Sequence, residues 1–120
     1  MTDREPLELA AKAAGIHIGP DSPWSGYSDR DGFYTTNMDG SAVTWRWNPI
    51  ADDGDALRLA VKLRINVEHA ETLGRQLYGV NCWPVGRGDC GYMETDLSDP
   101  YAATRRAIVR AAAEIGRQMK

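Results

Sequence analysis

The chain has 120 residues, of which 42% are hydrophobic and 26% are charged, and its formal net charge is -3. That length is enough to bury one core but not two, so we expect a single domain over residues 1–120. The composition is that of an ordinary globular protein and excludes pervasive disorder or a fibrous repeat. The negative charge provides no general attraction to phosphate backbones or anionic lipid, which disfavours nucleic-acid binding by the whole surface.

The two cysteines, Cys82 and Cys90, lie on either side of a Gly-rich turn and lack a second Cys or His pair at zinc-site spacing. The first residues are polar, and no apolar run approaches the length that spans a membrane. We therefore expect no structural zinc, no secretory leader, no membrane association, and reduced thiols in a cytoplasm.

The first helix is predicted to begin near Thr2 or Asp3, because Thr2 and Glu5 have capping-box spacing and Pro6 suits a first helical turn. We expect this helix to end at Gly15. Its apolar stripe consists of Leu7, Ala10, Ala11 and Ala14. Residues 16–18 then alternate like a short strand. Residues 19–32 are rich in Gly, Pro, Ser and Asp, which predicts an irregular loop.

The strongest hairpin signal joins residues 33–38 to residues 41–47, since Asp39-Gly40 suits a two-residue type I′ turn. The register counted from that turn pairs Thr36 with Val43 and Tyr34 with Trp45 on one face, which we expect to be the core side together with Trp47. The other face would then carry Thr35 opposite Thr44 and Phe33 opposite Arg46.

The second helix is predicted to follow Asn48-Pro49 and to open at the acidic run Asp52-Asp53-Gly54-Asp55, which suits the positive end of a helix dipole. Its polar positions form one stripe of Asp55, Arg58 and Lys62. Since the remaining positions are apolar, the pattern predicts a helix that is buried on most sides.

Two further strands are predicted at residues 65–68 and 76–83, with Tyr78, Val80 and Cys82 on one face, and a third short strand at residues 91–94. The last helix begins at Asp99-Pro100 in cap-then-proline order. Its predicted core stripe is Tyr101, Thr104, Ile108, Ala111 and Ile115. Another face carries Arg106, Arg110 and Arg117, which indicates a helix packed on a sheet from one side.

This order predicts an α+β fold, an α-β-β-α-β-β-α sandwich in which a small antiparallel or mixed sheet is flanked by helices. Residues 47–63 and 99–113 each combine an acidic helix start bearing Pro or Gly with an apolar helix. Together they resemble the phage ABA-sandwich domain family of small bacteriophage proteins. The resemblance implies the same sandwich fold, a phage origin and a location in the host cytoplasm.

No residue pattern predicts an enzyme. The cluster of Asp52, Asp53 and Asp55 has carboxylates that suit a divalent cation, but helix capping accounts for it. His17 and His69 have no nucleophile motif near them, and the cysteines lack a partner signature. We therefore expect no catalytic residue, no metal site and no cofactor.

The candidate ligand-binding residues are aromatic and arginine side chains in or beside loops, namely Trp24, Trp83, Tyr92, Arg46 and Arg87. Aromatic rings beside arginines can stack on bases and hold phosphates. Arg87 is the best single candidate, because a long cation between two glycines contributes little to packing. The competing interpretation is that the tryptophans fill the core and the arginines solvate a face.

Two functional hypotheses follow. The first is a non-enzymatic phage accessory protein that counters host defence by sequestering a small anionic ligand, such as a nucleotide signal. The alternative is an inhibitor of a host defence complex, similar to anti-CRISPR proteins, or an assembly factor, with Trp24, Trp83 and the acidic residues 29–31 and 52–55 at the interface. DNA binding through Arg105, Arg106 and Arg110 is disfavoured by the net charge. The sequence leaves open whether the chain forms a homo-oligomer.

Overall fold

A computed structural model describes residues 4–16, 24, 26–28, 30–71, 78–84, 92–94 and 99–119. The elements are α1 (Arg4–Ala13), β1 (Gly26–Ser28), β2 (Gly32–Thr36), β3 (Val43–Trp47), α2 (Asp53–Leu63), β4 (Ile65–Glu71), β5 (Tyr78–Pro84), β6 (Tyr92–Glu94) and α3 (Pro100–Gln118). The strands form two antiparallel sheets, ordered β1-β2-β3 and β4-β5-β6. The predicted α+β fold class is confirmed. None of the helices in these ranges is long and apolar enough to cross a membrane.

The helix α3 is the centre of the molecule, because it contacts α1, α2 and the strands β4, β5 and β6. Its buried positions are Ala103, Ala107, Ile108, Val109, Ala111, Ala112, Ala113 and Gly116. The prediction of a one-sided helix is therefore wrong, and Tyr101, assigned to the core stripe, is 71% exposed. Alanines on several faces explain the difference, since small side chains let neighbours approach from more than one direction.

The helix α1 packs on α3 through the stripe that the sequence predicts. Leu7, Ala10, Ala11 and Ala14 are all buried, and the helix is followed by Gly15 with a φ of +76°. The two helices approach so closely that a Cβ on Gly116 would collide with the backbone carbonyl of Leu9. The predicted capping box at Thr2 and the strand residues 17 and 18 lie outside the described residues, whereas Ile16 is described and is not in a strand.

The helix α2 begins as predicted, with the Asp52 side chain accepting a hydrogen bond from the Asp55 backbone N–H. Its burial differs from the prediction, because Leu57 is 64% and Val61 is 69% exposed. Only one face is buried, and it consists of Asp55, Ala56, Leu59 and Ala60. A helix at the surface that packs on α3 through one face leaves its other apolar side chains in solvent.

The hairpin β2–β3 forms, but its register differs from the predicted one. Thr36 pairs with Val43 as expected, whereas a register shift between Thr35 and Thr36 places Phe33 opposite Trp47 and Tyr34 opposite Arg46. Phe33 and Trp47 are consequently buried in the core and Trp45 is 56% exposed. One extra residue in a strand moves every following side chain to the opposite face, so this irregularity places Phe33 instead of Tyr34 on the core side, whereas Trp47 is buried as predicted.

The turn of this hairpin is longer than the predicted type I′ turn. Asn37 pairs with Ala42 through the backbone, and the Gly40 N–H donates to the Asn37 carbonyl. Gly40 has a φ of +76°, whereas Asp39 does not have a positive φ, which a type I′ turn requires at both central residues. The Asn37 side chain accounts for the longer turn, since it bonds to both Ser41 and Ala42.

Strand β1 lies in the segment predicted to be an irregular loop. Tyr27 pairs with Phe33 and packs on its ring at 5.0 Å between centroids. The connection to β2 requires Gly32, whose φ is +70° and whose Cβ would collide with the Trp47 carbonyl. The prediction failed because Gly and Ser are weak strand formers, and the pairing with β2 supplies what local propensity does not.

The second sheet agrees with the predicted strands. Ile65 pairs with Pro84 at one end of β4–β5, Glu71 pairs with Tyr78 at the other, and β6 adds to β5. Val80 and Cys82, which the sequence predicts to share one face, are both fully buried where α3 packs against β5.

Candidate functional site

Of the ligand-binding residues predicted from the sequence, the three whose side chains are described, Trp24, Trp83 and Arg46, are not gathered in one place. Arg87 lies outside the described residues, and Tyr92 lies on β6 with its side chain also outside the described part. Trp83 is half-buried on β5, where its backbone pairs with Asn66 in the second sheet. Arg46 lies on β3 in the first sheet.

Trp24 contacts the core side of the first sheet. Its ring stacks on Trp45 at 5.0 Å between centroids and lies 6.1 Å from the ring of Phe33. Arg46 follows Trp45 along an extended strand, so the two side chains point to opposite faces. Trp24 and Arg46 therefore do not share a binding surface, and both Trp24 and Trp83 are half-buried rather than fully exposed.

Arg46 contacts instead a residue of a polar groove on the outer face of the first sheet. Its Nε donates to Asp31 Oδ1 at 2.8 Å, and Arg30 Nη2 lies 3.4 Å from Asp31 Oδ2. The groove beside Asp31 has a volume of about 370 Å³. Its lining consists of Ser28, Arg30, Asp31, Tyr34, Thr36, Gly40, Ser41, Ala42 and Val43. One carboxylate thus joins two arginines at the edge of an open, hydroxyl-rich groove.

Two turns form the walls of this groove, and both are held by side-chain hydrogen bonds. In the β1–β2 turn, the Asp31 backbone N–H donates to Ser28 Oγ at 3.0 Å. In the β2–β3 turn, the Ser41 N–H donates to Asp39 Oδ1 at 2.9 Å and Asn37 Nδ2 donates to Ser41 Oγ at 3.0 Å. The walls are therefore positioned before any ligand arrives.

The floor of the groove is Tyr34, which β2 turns away from the Phe33 side. Its ring lies against the backbone of β1, because a Cβ on Gly26 would be 2.7 Å from the Tyr34 hydroxyl oxygen. The absence of a side chain at position 26 therefore leaves room for the Tyr34 phenol in its observed position.

Two carboxylates near the groove have shifted pKa values. Desolvation acts to raise the pKa of Asp31, but the hydrogen bonds and charges of Arg46 and Arg30 outweigh it and hold the pKa below its ordinary value. Hydrogen bonds from the Ser41 side chain and backbone lower the pKa of Asp39. Asp31 therefore stays ionised at neutral pH, so Asp31 and Arg30 give the groove one anion and one cation, and Arg46 adds a second cation beside it.

Sequence reasoning missed Arg30 and Tyr34 as site residues and placed Asp31 only in an acidic segment. The available signal was Asp29-Arg30-Asp31-Gly32 between the aromatic residues Tyr27 and Phe33. A charged tetrapeptide ending in Gly between two apolar positions is typical of a tight hairpin turn. The signal becomes usable only once residues 26–28 are recognised as a strand.

The acidic cluster of α2 is occupied by structural contacts. Asp55 is buried and its carboxylate accepts from the Asn48 N–H at 2.9 Å and from Arg58 at 2.6 Å. Asp53 accepts from Arg105, which also donates to the Ile50 carbonyl at 2.7 Å. No group of three His, Cys, Asp or Glu residues in the described ranges could hold a metal ion.

The arginines considered for DNA binding also make structural contacts. Arg105 is held by Asp53 and Ile50, and Arg106 and Arg110 make contacts of their own.

Cys82 is a free, buried thiol whose pKa is raised by burial to about 12. A thiol with that pKa is not a thiolate at neutral pH and is a poor nucleophile.

A scan against protein-family models, a search of curated proteins and a search of solved structures each found no match to this chain. The resemblance of residues 47–63 and 99–113 to the phage ABA-sandwich family therefore stays a prediction.

Proposed function

We propose that the protein is a non-enzymatic binding module whose groove on the first sheet takes a small anionic ligand of the nucleotide type. The observation that carries this proposal is the convergence of Arg30 and Arg46 on Asp31 beside a polar groove of about 370 Å³. As a phage accessory protein, it would act in the host cytoplasm by sequestering such a ligand, and it needs no catalytic group to do so.

The two arginines keep unused donors. The Arg46 side chain is 55% and the Arg30 side chain is 87% exposed, and each makes one hydrogen bond to Asp31. A guanidinium has five N–H donors arranged in a planar fork that matches carboxylate and phosphate oxygens. An incoming phosphate can therefore bind both side chains while Asp31 keeps them oriented.

The rest of the groove suits the uncharged part of a nucleotide. Ser28, Thr36 and Ser41 offer hydroxyl groups that both donate and accept, and Tyr34 offers an aromatic ring with a hydroxyl tip. The volume of about 370 Å³ falls within the range of small-molecule sites. The sugar hydroxyls and the base edge of a nucleotide would find hydrogen-bond partners in this groove. A purely apolar ligand would leave those polar groups without a partner.

A thermal-shift screen tests the proposal with cyclic dinucleotides, cyclic oligonucleotides, ADP-ribose derivatives and mononucleotides. A ligand that binds only the folded state stabilises it by ~2.7 kcal/mol at a concentration one hundred times Kd. We expect one class to raise the Tm, and we expect Arg46→Ala to abolish that rise.

Arg117→Ala is the matched control for this experiment. Arg117 is as exposed as Arg46 and is also paired with a single carboxylate, that of Glu114, but it lies on α3 away from the groove. The control should keep the full ligand-dependent rise. No rise with any class, or a rise that Arg46→Ala retains, contradicts the proposal.

A protein-binding inhibitor is the second candidate, and the exposure of Trp45 favours it. Trp45 is 56% exposed and is supported from below by the stacked ring of Trp24, which is the kind of rigid aromatic anchor that dominates interfaces. The acidic residues 52–55 contribute less than expected, because Arg58 and Arg105 already pair with them. Capture of a host protein that Trp45→Ala abolishes and Arg46→Ala leaves intact distinguishes this candidate from the first.

A further inference from the structure

The helix α2 carries an exposed stripe in which Asp53 is the one residue with a described side-chain partner, Arg105. Asp53, Leu57 and Val61 follow one another at intervals of four residues and share one face of the helix, and Arg64 follows three residues later as the C-terminal cap; these four residues are here called the α2 stripe. The two apolar members are 64% and 69% exposed. An acidic residue lies at the start of the stripe and a basic residue lies at its end.

Arg64 has a backbone conformation that L-residues with side chains rarely adopt. It caps α2 with φ 54° and ψ 53°, and its N–H donates to the carbonyls of Ala60 and Val61. Glycine is the usual residue at such a left-handed cap. Arg64 is the one residue other than glycine with a positive φ in the described ranges, and its guanidinium has no carboxylate partner there. Within the described residues, neither the backbone conformation nor an ion pair accounts for an arginine at this position.

We propose that the α2 stripe is the interface of a weak, two-fold symmetric dimer of this chain, with the two α2 helices antiparallel. In this arrangement Leu57 of each copy packs on Val61 of the other, and Arg64 of each copy pairs with Asp53 of the other. The midpoint of Asp53 and Arg64 lies within one residue of the midpoint of Leu57 and Val61. A single two-fold axis therefore satisfies both pairs, as an isologous contact requires.

Electrostatics favours a second copy of this chain over an unrelated partner at the α2 stripe. An antiparallel pair sets the acidic first turn of one α2 against the basic last turn of the other and also opposes the two helix dipoles. Asp53 can accept the additional bond, because its side chain is 70% exposed and Arg105 occupies only Oδ1. The stripe is thus complementary in charge to a second copy of itself.

The interface is small, and its strength follows from its size. Two apolar side chains per copy bury far less than the ~1,200 Å² at which stable interfaces begin. The charged ends lie in solvent, where salt screens them. We therefore expect a dimer that forms between micromolar and millimolar protein and weakens as salt is added.

Sedimentation velocity over that concentration range tests the dimer. We expect the average mass to rise toward that of two chains, and we expect Arg64→Glu to weaken association about tenfold, which corresponds to ~1.4 kcal/mol. Lys62→Glu makes the same charge change two residues away on a different face of α2 and should leave association unchanged. A monomer throughout, growth beyond two chains, or equal effects of the two variants overturns the proposal.

The substitution Arg64→Gly distinguishes an effect on the interface from an effect on the stability of the monomer. Glycine relieves the left-handed backbone, so the monomer should have a higher Tm, whereas loss of the guanidinium should weaken association. Opposite changes in these two quantities support the dimer, and a higher Tm with unchanged association overturns it. Neither result depends on the groove, because Arg64 lies outside its lining.

Discussion

At the scale of single residues, the proposed binding of an anion in the groove depends on Asp31. Its carboxylate is only 13% exposed and accepts from Arg46 and Arg30, so it orients both cations while also occupying part of their donors. An anionic ligand must share these arginines with Asp31. If the proposal holds, the affinity for an anion depends on a balance between two effects of Asp31, which orients the arginines and competes with the ligand for their donors.

Substitution of Asp31 by Asn shifts that balance. Asn keeps the size of the side chain but removes the charge that competes with a ligand phosphate, so we expect Asp31→Asn to bind the ligand class found in the thermal-shift screen severalfold more tightly. Isothermal titration calorimetry measures the change. A loss of affinity would instead mean that orientation of Arg46 matters more than competition.

The pH dependence of the free energy of unfolding should reveal the contribution of Asp31 to stability. The pKa of Asp31 in the folded chain lies below its ordinary value of 3.8, so its contribution to stability is complete above that value and is lost as the pH falls through the folded pKa. Asp31→Asn should therefore melt below the unsubstituted chain at neutral pH, and the difference should shrink in strong acid. Calorimetric melting curves over this range check it, and a difference independent of pH contradicts the assignment.

At the scale of elements, the contact between α1 and α3 depends on the absence of side chains. Gly116 lies against the Leu9 carbonyl, and the facing alanines are fully buried. Helices that meet over such small residues have no flexible side-chain ends that can absorb an added methyl group.

Gly116→Ala should therefore destabilise the fold by ~1–3 kcal/mol through overpacking, although alanine is the better helix former. Gly54→Ala is the matched control in α2, where the nearest atoms to a new Cβ are the flexible ends of Arg58 and Asp52. That substitution should leave stability unchanged or raise it. Chemical denaturation measures both variants, and equal effects of the two would mean that α1 does not pack on α3 as described.

At the scale of the whole molecule, the described elements form one core around α3. The inner face of β5, the stripe of α1 and the buried face of α2 all belong to it. Cys82 lies in this core, and its raised pKa is a consequence of burial. Its chemical reactivity is therefore a probe of the cooperative unfolding of the whole chain.

Alkylation followed by peptide mass spectrometry should show no reaction at Cys82 in native buffer near pH 8, because a thiol with a pKa of about 12 is almost entirely protonated there. Reaction should begin at the same denaturant concentration at which the helical signal is lost. Peptide resolution keeps Cys82 separate from Cys90. Labelling of Cys82 well before the helices unfold would show that the second sheet opens independently.

The sequence by itself determined the helix starts at Asp52 and Asp99, the α1 stripe and the common face of Val80 and Cys82. These features depend on neighbours within one or two turns of helix or on strict alternation, which are local properties of the chain. Only the tertiary structure decided the rest. The pairing of β1 with β2, the irregularity that buries Phe33, and the exposure of Leu57 depend on partners distant in sequence. The groove depends on the same partners, because a one-residue shift in register decides which side chains share a face.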